Sequence, residues 1–391
     1  MSLRDSRGVA VAFVTAATFI DLVAYSIAVP VLPDLSQRLG ASPTVIGALF
    51  ACFGITLLGV SVPMGVVSDR LGRKRPLAAG LVALAASSAL FAYADRLPWL
   101  FAARLAQGAA DAITWVVGFA LIADLYGPDE RGRVMGLVMS GANFGFMIGP
   151  TLGGWLYETG GIRLPFLALA ASSALIGAGV TWLRLPEPAG AGEAIAMRAI
   201  FRVPAVAMCA LAVIAAGGTI AMLEPVLPLH LSSALGLGPA RIGLLFGIAA
   251  VASTTLHPVF GYLADRWGGW RLMMIGLFAI GFVLPLLSLA GSFRSAVGLY
   301  MAEAVALSVV VTPSLAFMAE AISGVGVASF GVAYGVYNFA WALGLLIGPA
   351  TGGFLFERMG FRKLSIAWAS VTILIAFLLA RRQRMPERSQ P

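Results

Sequence analysis

The strongest constraint on this chain comes from long apolar runs that recur along the whole sequence. A transmembrane helix needs about 20 mostly apolar residues, and twelve runs in the sequence are long enough to meet that need. We find no alternating strand pattern that would build a β-barrel instead. The sequence therefore predicts an all-α membrane protein with twelve transmembrane helices, at residues 9–33, 44–67, 77–94, 98–124, 134–156, 163–183, 203–231, 240–263, 271–290, 294–320, 329–356 and 363–380.

Composition and charge exclude several other classes of protein. Charged residues make up 11% of the chain, whereas soluble domains average about 25%. The basic residues lie at the ends of apolar runs rather than in a nucleic-acid-binding patch. Cys52 and Cys209 both fall inside apolar runs, which argues against a disulfide framework. With no His/Cys cluster and no GxxxxGK loop, we expect no metal, no other cofactor and no ATP-driven step.

Lys and Arg are distributed unequally between the two sides of the predicted spans. If the N-terminus is cytoplasmic, 17 of the 26 basic residues lie on the cytoplasmic side and 8 on the other, with Arg104 inside a span. Cytoplasmic loops of membrane proteins carry this excess of positive charge. We therefore expect a multi-pass protein of the inner (cytoplasmic) membrane with both termini in the cytoplasm.

The two halves of the sequence repeat each other. Three short motifs recur in the same order, at offsets of 195, 196 and 199 residues. We predict two pseudo-symmetric six-helix bundles, residues 1–183 and 203–391, joined by the less apolar stretch 184–202 as a cytoplasmic linker. The matching pairs are VPVLP at 29–33 with EPVLP at 224–228, GVVSDRLGR at 65–73 with GYLADRWGG at 261–269, and GPTLGGWLYE at 149–158 with GPATGGFLFE at 348–357.

Six spans in each half give the two copies the same orientation in the membrane. Transporters built this way place their substrate site near the middle of the membrane and rock one half against the other, which gives alternating access. A channel, a receptor or a membrane enzyme fits less well, because the sequence has short loops, no catalytic constellation and no sizeable soluble domain. We expect a transporter and not an enzyme.

Five motifs point to a known family. They are FIDLVAYSIAVPVLPDL at 19–35, GVVSDRLGRKR at 65–75, LFAARLAQGAADA at 100–112, GANFGFMIGPTLGG at 141–154 and LEPVLPLHL at 223–231. Together they resemble the major facilitator superfamily. Within it they are most similar to the twelve-span drug:proton antiporters, in the branch of the tetracycline exporters and vesicular monoamine transporters.

This resemblance implies a function. It implies a monomeric proton-coupled antiporter that exports a small amphipathic compound, cationic or weakly basic, such as a drug or an amine. The proton gradient would be its source of energy. Two alternatives stay open: a proton-coupled carrier of another metabolite, such as a sugar or siderophore, and an uptake symporter.

The loop at 65–75 resembles a latch that holds the cytoplasmic side of the family's outward-open state. Its acid lies at a helix end, where it can meet the positive N-terminus of a neighbouring helix, an interaction of about 0.3–2 kcal/mol. An acid at the end of the fourth span is the expected partner of one of the loop arginines. The latch residues are Gly65, Asp69, Arg70, Gly72, Arg73 and Asp124.

The fifth span carries glycines at every fourth position, so they share one helix face. We expect this face, and its counterpart in the eleventh span, to support tight packing between the two halves. The resemblance adds that the fifth-span motif seals antiporters against proton leak. The motif residues are Gly141, Gly145, Gly149, Pro150 and Gly153, and the eleventh-span glycines are Gly344, Gly348 and Gly352.

Five ionisable residues lie well inside predicted spans: Asp21, Arg104, Asp111, Glu224 and Glu303. Such residues are costly in lipid and mark ion or substrate pathways. A buried pair of Arg104 with one acid is a structural alternative, but four acids cannot all pair with one base. The remaining acids hold a proton or await a cation, so we predict that these five residues couple transport to protons.

Two acids receive different roles. Asp21 matches the first-span acid of the family and is predicted to carry the proton, while Glu224 is predicted to bind the substrate amine. They lie on corresponding spans but at unmatched positions, since Asp21 corresponds to Ala216 and Glu224 to Val29. The predicted substrate-binding residues are Asp21, Tyr25, Glu224, Asn143 and Asn338.

The sequence departs from the monoamine branch at three positions. That branch carries a lysine in its second span, where this chain has Phe53. It carries acids in spans ten and eleven, where this chain has Ser308 and Asn338. The resemblance therefore concerns the antiporter family more than a particular amine.

Overall fold

A computed structural model describes residues 3–182, 203–323 and 330–383 of the chain, almost entirely as helices. The predicted linker at 184–202 lies outside the described residues. Short 3₁₀ segments occupy Val29–Val31 and Leu284–Leu289. The α-helices are α1 (Leu3–Ser26), α2 (Leu32–Leu39), α3 (Pro43–Leu71), α4 (Lys74–Tyr93), α5 (Leu97–Leu125), α6 (Pro128–Gly160), α7 (Arg163–Trp182), α8 (Pro204–Leu235), α9 (Pro239–Trp267), α10 (Gly269–Val283), α11 (Phe293–Ser323) and α12 (Phe330–Gln383).

Eleven helical segments of the described chain are long and apolar enough to cross a membrane. The last of them, Gly335–Arg381, has 47 residues, and a helix of that length measures about 70 Å, more than twice the apolar thickness of a bilayer. Its backbone leaves helical geometry at Gly360, where φ is 74°. This one segment therefore contains the eleventh and twelfth predicted spans, and the predicted twelve-helix architecture is confirmed.

Two of the predicted helices are interrupted at prolines. The span predicted at 9–33 ends as an α-helix at Ser26, and a 3₁₀ turn containing Pro30 follows. The span predicted at 271–290 likewise changes to 3₁₀ geometry at Leu284, next to Pro285. Proline has no backbone N–H and its ring clashes with the preceding turn. The α-helix therefore ends near each of these prolines, although the run of apolar residues continues beyond it.

Packing divides the chain into two compact units. The first consists of Met1–Glu193 with Gly236–Gly247, and the second of Ala194–Leu235 with Ile248–Pro391. The segment Gly236–Gly247 belongs to the first unit because the start of α9 bonds to α6. The Glu158 carboxylate accepts a hydrogen bond from the Ala240 N–H at 3.0 Å, and the Thr151 hydroxyl donates to the Gly243 carbonyl at 3.1 Å.

The backbone preserves the internal repeat at its turns. The glycines with positive φ in the described residues fall into three pairs, one member in each half. Their spacings of 196, 196 and 199 residues agree with the offsets of the sequence motifs. Left-handed backbone favours glycine, so the two copies turn at equivalent points. The pairs are Gly40 with Gly236, Gly72 with Gly268, and Gly161 with Gly360.

In the first unit, the glycine face of α6 packs against α1. A Cβ at Gly145 would lie on the carbonyl oxygen of Phe19, and one at Gly153 would lie on the carbonyl oxygen of Ile27. Gly141 and Gly149 make equally close approaches, to Thr15 and Ser26 respectively. Our prediction that this face packs between the two halves is therefore wrong. Periodicity places the glycines on one face, but it does not select the neighbouring helix.

The second unit repeats this arrangement between α12 and α8. A Cβ at Gly344 would lie 2.7 Å from the backbone nitrogen of Gly218, and one at Gly348 would overlap the Gly218 carbonyl oxygen. Gly352 approaches Met222 in the same way. In each unit, the first span therefore packs closely on the glycine face of the fifth.

We expect Gly145→Ala to destabilise the protein by about 1–3 kcal/mol, as overpacking of a close contact does. The obstacle is backbone, so it cannot rotate away. The matched control is Gly136→Ala, since Gly136 lies on the same helix with open space around it. That change should stabilise by about 0.5–1 kcal/mol. Thermal unfolding in detergent measures both effects, and equal midpoints for the two variants would contradict the packing argument.

Candidate proton and substrate site

The first unit contains two buried acids on adjacent helices. Asp21 lies in the middle of α1 and is 2% exposed, and Asp111 on α5 is 4% exposed. The two carboxyl groups lie close enough to interact with each other. The Trp115 indole, one turn beyond Asp111 on the same face of α5, interacts with both carboxyl groups. The packing of α1 on α5 thus brings Asp21 and Asp111, both predicted to couple transport to protons, next to each other.

Arg104, the buried base of the same unit, interacts with neutral groups and rings. Its Nη1 donates to the Tyr25 carbonyl at 3.4 Å and to the Gln107 amide oxygen at 3.2 Å. The guanidinium also lies over the faces of Phe50 and Phe91, at 4.2 and 5.7 Å from their centroids. Cation–π contacts in a dry site are worth about 2 kcal/mol, so they offset part of the cost of burying this charge.

The predicted substrate-binding residues occupy different environments. Tyr25 is buried, with its ring packed edge-on against Phe53 at 4.8 Å. Asn143 on α6 is exposed in the structure, and Asn338 on α12 is half-buried. The structure thus places Tyr25 one helical turn from Asp21 on α1, whereas the roles of the two asparagines stay predictions.

The second unit has its own pair of buried acids. Glu224 on α8 is 2% exposed, and Glu303 on α11 is completely buried. Neither carboxyl oxygen of Glu303 has a hydrogen-bond partner in the described part of the chain. The Tyr300 side chain, three residues before Glu303 on α11, lies within electrostatic range of both acids. A carboxyl group in such surroundings can hold a proton or receive a cation.

The loop between α3 and α4 forms a compact ionic cluster centred on Arg73. The Arg73 Nη1 lies 2.5 Å from the Asp69 carboxylate and 2.7 Å from the Ser68 hydroxyl, and its Nε lies 2.7 Å from Asp124 at the end of α5. Gly72 turns the chain with a φ of 78°. The residue that joins these acids is Arg73, while Arg70 is exposed.

We expect Arg73→Gln to lower transport strongly while leaving expression largely intact, because it removes the cation that joins Asp69 to Asp124. Breaking a fully buried pair costs about 3–5 kcal/mol, and because Asp69 and Asp124 are 30% and 18% exposed, that range is an upper limit here. Arg70→Gln is the matched control, since it removes the same charge from the same loop but from an exposed side chain. Transport per folded molecule in vesicles measures the difference. Equal losses of transport in both variants would show that the basic residues of this loop only set the orientation of the protein in the membrane.

Sequence reasoning missed two residues of the site, Trp115 and Tyr300. Both lie on the same helix face as a predicted acid, Trp115 four residues after Asp111 and Tyr300 three residues before Glu303. A search at helical spacing around each buried acid would have found them. What it could not find is the contact of Asp21 with Asp111, because those residues are on different helices.

The bundles of long apolar helices and the acids buried inside them define a multi-pass membrane transporter. The sequence model of the Major Facilitator Superfamily matches residues 14–330 and, separately, residues 209–391. The chain belongs to this superfamily, as its motifs indicated, and it is a transporter rather than an enzyme.

Several amine transporters are similar to this chain over most of its length. The rat chromaffin granule amine transporter is 28% identical over 348 residues, which cover 88% of this chain and 67% of that protein. The human synaptic vesicular amine transporter is 27% identical over 334 residues, or 85% of this chain and 65% of that protein. The chain thus spans about two thirds of the length of these relatives. The human MFS-type transporter SLC18B1 is 24% identical over 394 residues, covering 94% of this chain and 86% of that protein.

Solved structures share the fold. A bacterial homologue of the human lysosomal transporter Spinster superposes with a TM-score of 0.80 at 14% identity, covering 99% of each chain. The nucleoside transporter NupG superposes with a TM-score of 0.79 at 14% identity, covering 96% of this chain and 99% of that one. Likeness at this level of identity concerns the fold, and it agrees with the two six-helix bundles predicted from the sequence.

Proposed function

We propose that this transporter is a proton-coupled antiporter that exports small amphipathic amines or drugs, cationic or weakly basic, by alternating access. The observation that carries the proposal is an excess of buried acid. Asp21, Asp111, Glu224 and Glu303 are all buried within spans, and Arg104 is the buried base inside the spans of the described residues. The amine transporters among its relatives support the choice of substrate class.

The chemistry follows from competition for a carboxylate. In a low-dielectric site an acid holds a proton firmly, and an approaching cation favours the ionised form. Proton and cation therefore displace each other from one group, which is what exchange requires. Asp21 serves as the proton carrier, and Glu224 receives the substrate cation.

The proton gradient supplies enough energy for concentrative export. One pH unit together with 100 mV is worth about 3.7 kcal/mol per proton, which corresponds to a ratio of roughly 500-fold for a neutral substrate. A singly charged cation is exported against the same 100 mV, so its exchange for one proton yields a ratio of about tenfold. No nucleotide or bound cofactor enters this scheme, and a monomer suffices for it.

The decisive experiment uses purified protein in lipid vesicles with an imposed pH gradient. Ligands are first selected by their thermal shift from a library of amines, drugs and sugars, and their movement is then followed. We expect amines to move in the direction opposite to the flow of protons. Movement of a sugar or another neutral metabolite, or co-movement of substrate with protons, would replace the proposal with a carrier of another metabolite or with a symporter.

The proposal includes location and orientation: the inner membrane of a cell, with both termini and the 184–202 linker in the cytoplasm. Cysteines introduced by Ser2→Cys and Gly192→Cys should resist a membrane-impermeant thiol reagent in intact cells, whereas Asp95→Cys, in the exposed turn before α5, should react. The unsubstituted protein provides the background from Cys52 and Cys209. The reverse labelling pattern would invert the orientation.

A further inference from the structure

The side chain of Gln107, on α5, is held in one orientation by Arg104. The Arg104 Nη1 donates to the Gln107 Oε1 at 3.2 Å and to the Tyr25 carbonyl of α1 at 3.4 Å. A guanidinium donates hydrogen bonds and cannot accept them, so the amide atom that faces Arg104 must be the oxygen. The amide nitrogen of Gln107 therefore faces away from Arg104, and its two N–H groups are directed at other partners.

The described residues supply no partner for these N–H groups. Gln107 is 1% exposed, and its Nε2 atom is buried without a hydrogen bond within the described part of the chain. Proteins rarely leave a buried donor unpaired, because the hydrogen bonds that it made to water are then lost without replacement. A ligand with an acceptor atom would therefore gain a hydrogen bond at this position.

An unpaired acceptor lies at a similar depth on the neighbouring helix. Asp21 is one turn before Tyr25 on α1, and Gln107 is one turn after Arg104 on α5. As the first and fourth spans, α1 and α5 run in opposite directions, so both turns lead the same way from the contact between Tyr25 and Arg104. The Asp21 Oδ2 atom is buried and has no hydrogen-bond partner in the described residues. Donor and acceptor thus lie within one unit, on two helices that touch.

The internal repeat puts a second unpaired polar group at the equivalent position of the other half. With the offset of 196 residues, Glu303 on α11 corresponds to Gln107. Glu303 is completely buried, and neither of its carboxyl oxygens has a hydrogen-bond partner in the part of the chain that the structure describes. Packing alone would favour an apolar residue at such a position, since a buried polar group without a partner is costly. Both halves carry a polar side chain instead, as a ligand-binding position requires.

We propose that Gln107 is a substrate-binding residue that determines specificity, because its amide N–H groups donate to an acceptor oxygen of the substrate. An ether, hydroxyl or carbonyl oxygen has the required chemistry. This inference rests on the proposed function, since it takes the substrate to be an amine, and it narrows the substrate class to amines that also carry such an oxygen. An amine without that oxygen leaves the Gln107 amide unpaired and binds less tightly.

The test compares pairs of phenethylamines of nearly equal shape. At each ring position, the methoxy derivative and the ethyl derivative differ in one place, where an oxygen atom is replaced by CH₂. Isothermal titration of the purified full-length protein measures the affinity for each compound. We expect the methoxy member of at least one pair to bind about 5- to 100-fold more tightly than its ethyl partner, as the loss of a hydrogen bond to a buried donor predicts.

Two substitutions separate substrate recognition from support of Arg104. Gln107→Glu keeps the volume and the acceptor for Arg104, whose charge favours the ionised form of the new carboxyl group, but it removes the N–H groups. Gln107→Met removes donor and acceptor together. In both variants the affinity ratio within the pair should fall to about twofold or less, even where both affinities change. Gln37→Glu and Gln37→Met make the same changes at an exposed glutamine of α2 and should leave the ratio unaltered.

The outcomes distinguish this inference from the proposed function. Equal affinities within every pair in the unsubstituted protein would overturn the role of Gln107, and so would a ratio that survives Gln107→Glu. In both cases amines still bind, so the proposed function stands. Binding of neither member of any pair would also overturn the inference. The same titration with the other library compounds then decides the proposed function, which stands if other amines bind and fails if only neutral compounds do.

Discussion

Asp21→Asn should abolish concentrative transport. The variant keeps the size and polarity of the side chain but cannot carry a proton, so the gradient no longer drives the substrate. Across vesicles with a gradient of one pH unit, the substrate ratio should fall from about tenfold per exchanged proton to about onefold. Some substrate binding should survive, because Glu224 is still present, and this binding should lose most of its dependence on pH.

The matched control is Asp95→Asn, which removes one acid from an exposed position between α4 and α5. It should transport at a rate close to that of the unsubstituted protein. Vesicles with an imposed pH gradient measure transport. A binding titration at several pH values measures how far substrate binding still depends on pH. If Asp21→Asn still concentrated substrate at the normal rate, the proton would have to be carried by another group.

Glu224→Gln should weaken the binding of cationic substrates by about 10- to 100-fold. A hydrogen bond to a charged partner contributes about 1.5–3 kcal/mol, and each 1.4 kcal/mol is a tenfold change in affinity. Neutral substrates of similar shape should lose about threefold or less, because the glutamine keeps the volume and a polar end. Isothermal titration with paired cationic and neutral ligands measures the difference.

Glu320→Gln is the control for this second experiment, since Glu320 is an exposed acid on α11. Its cationic and neutral ligands should bind as they do to the unsubstituted protein. Parallel losses for cationic and neutral ligands in Glu224→Gln would show that the residue shapes the site rather than recognising charge. Glu303, which lies near Tyr300 with Glu224, would then be the next acid to examine.

The sequence by itself determined the architecture, because that architecture is set by local and periodic requirements. A span must be long and apolar, so the twelve runs are visible without any structure. The repeat is visible because equivalent turns need equivalent residues, as the positive-φ pair Gly72 and Gly268 illustrates. Ionisable residues are so costly inside a membrane that Asp21, Arg104 and Glu303 stand out on their own.

The tertiary structure alone decided which of these residues meet. Helical periodicity places a side chain on a face, but the rotation and packing of helices select the neighbour. This is why the glycine face of α6 meets α1 rather than the other half of the molecule, and why Arg73, not Arg70, joins Asp69 to Asp124. For the same reason, the meeting of Asp21 on α1 with Asp111 on α5, ninety residues later in the chain, could not be predicted from the sequence.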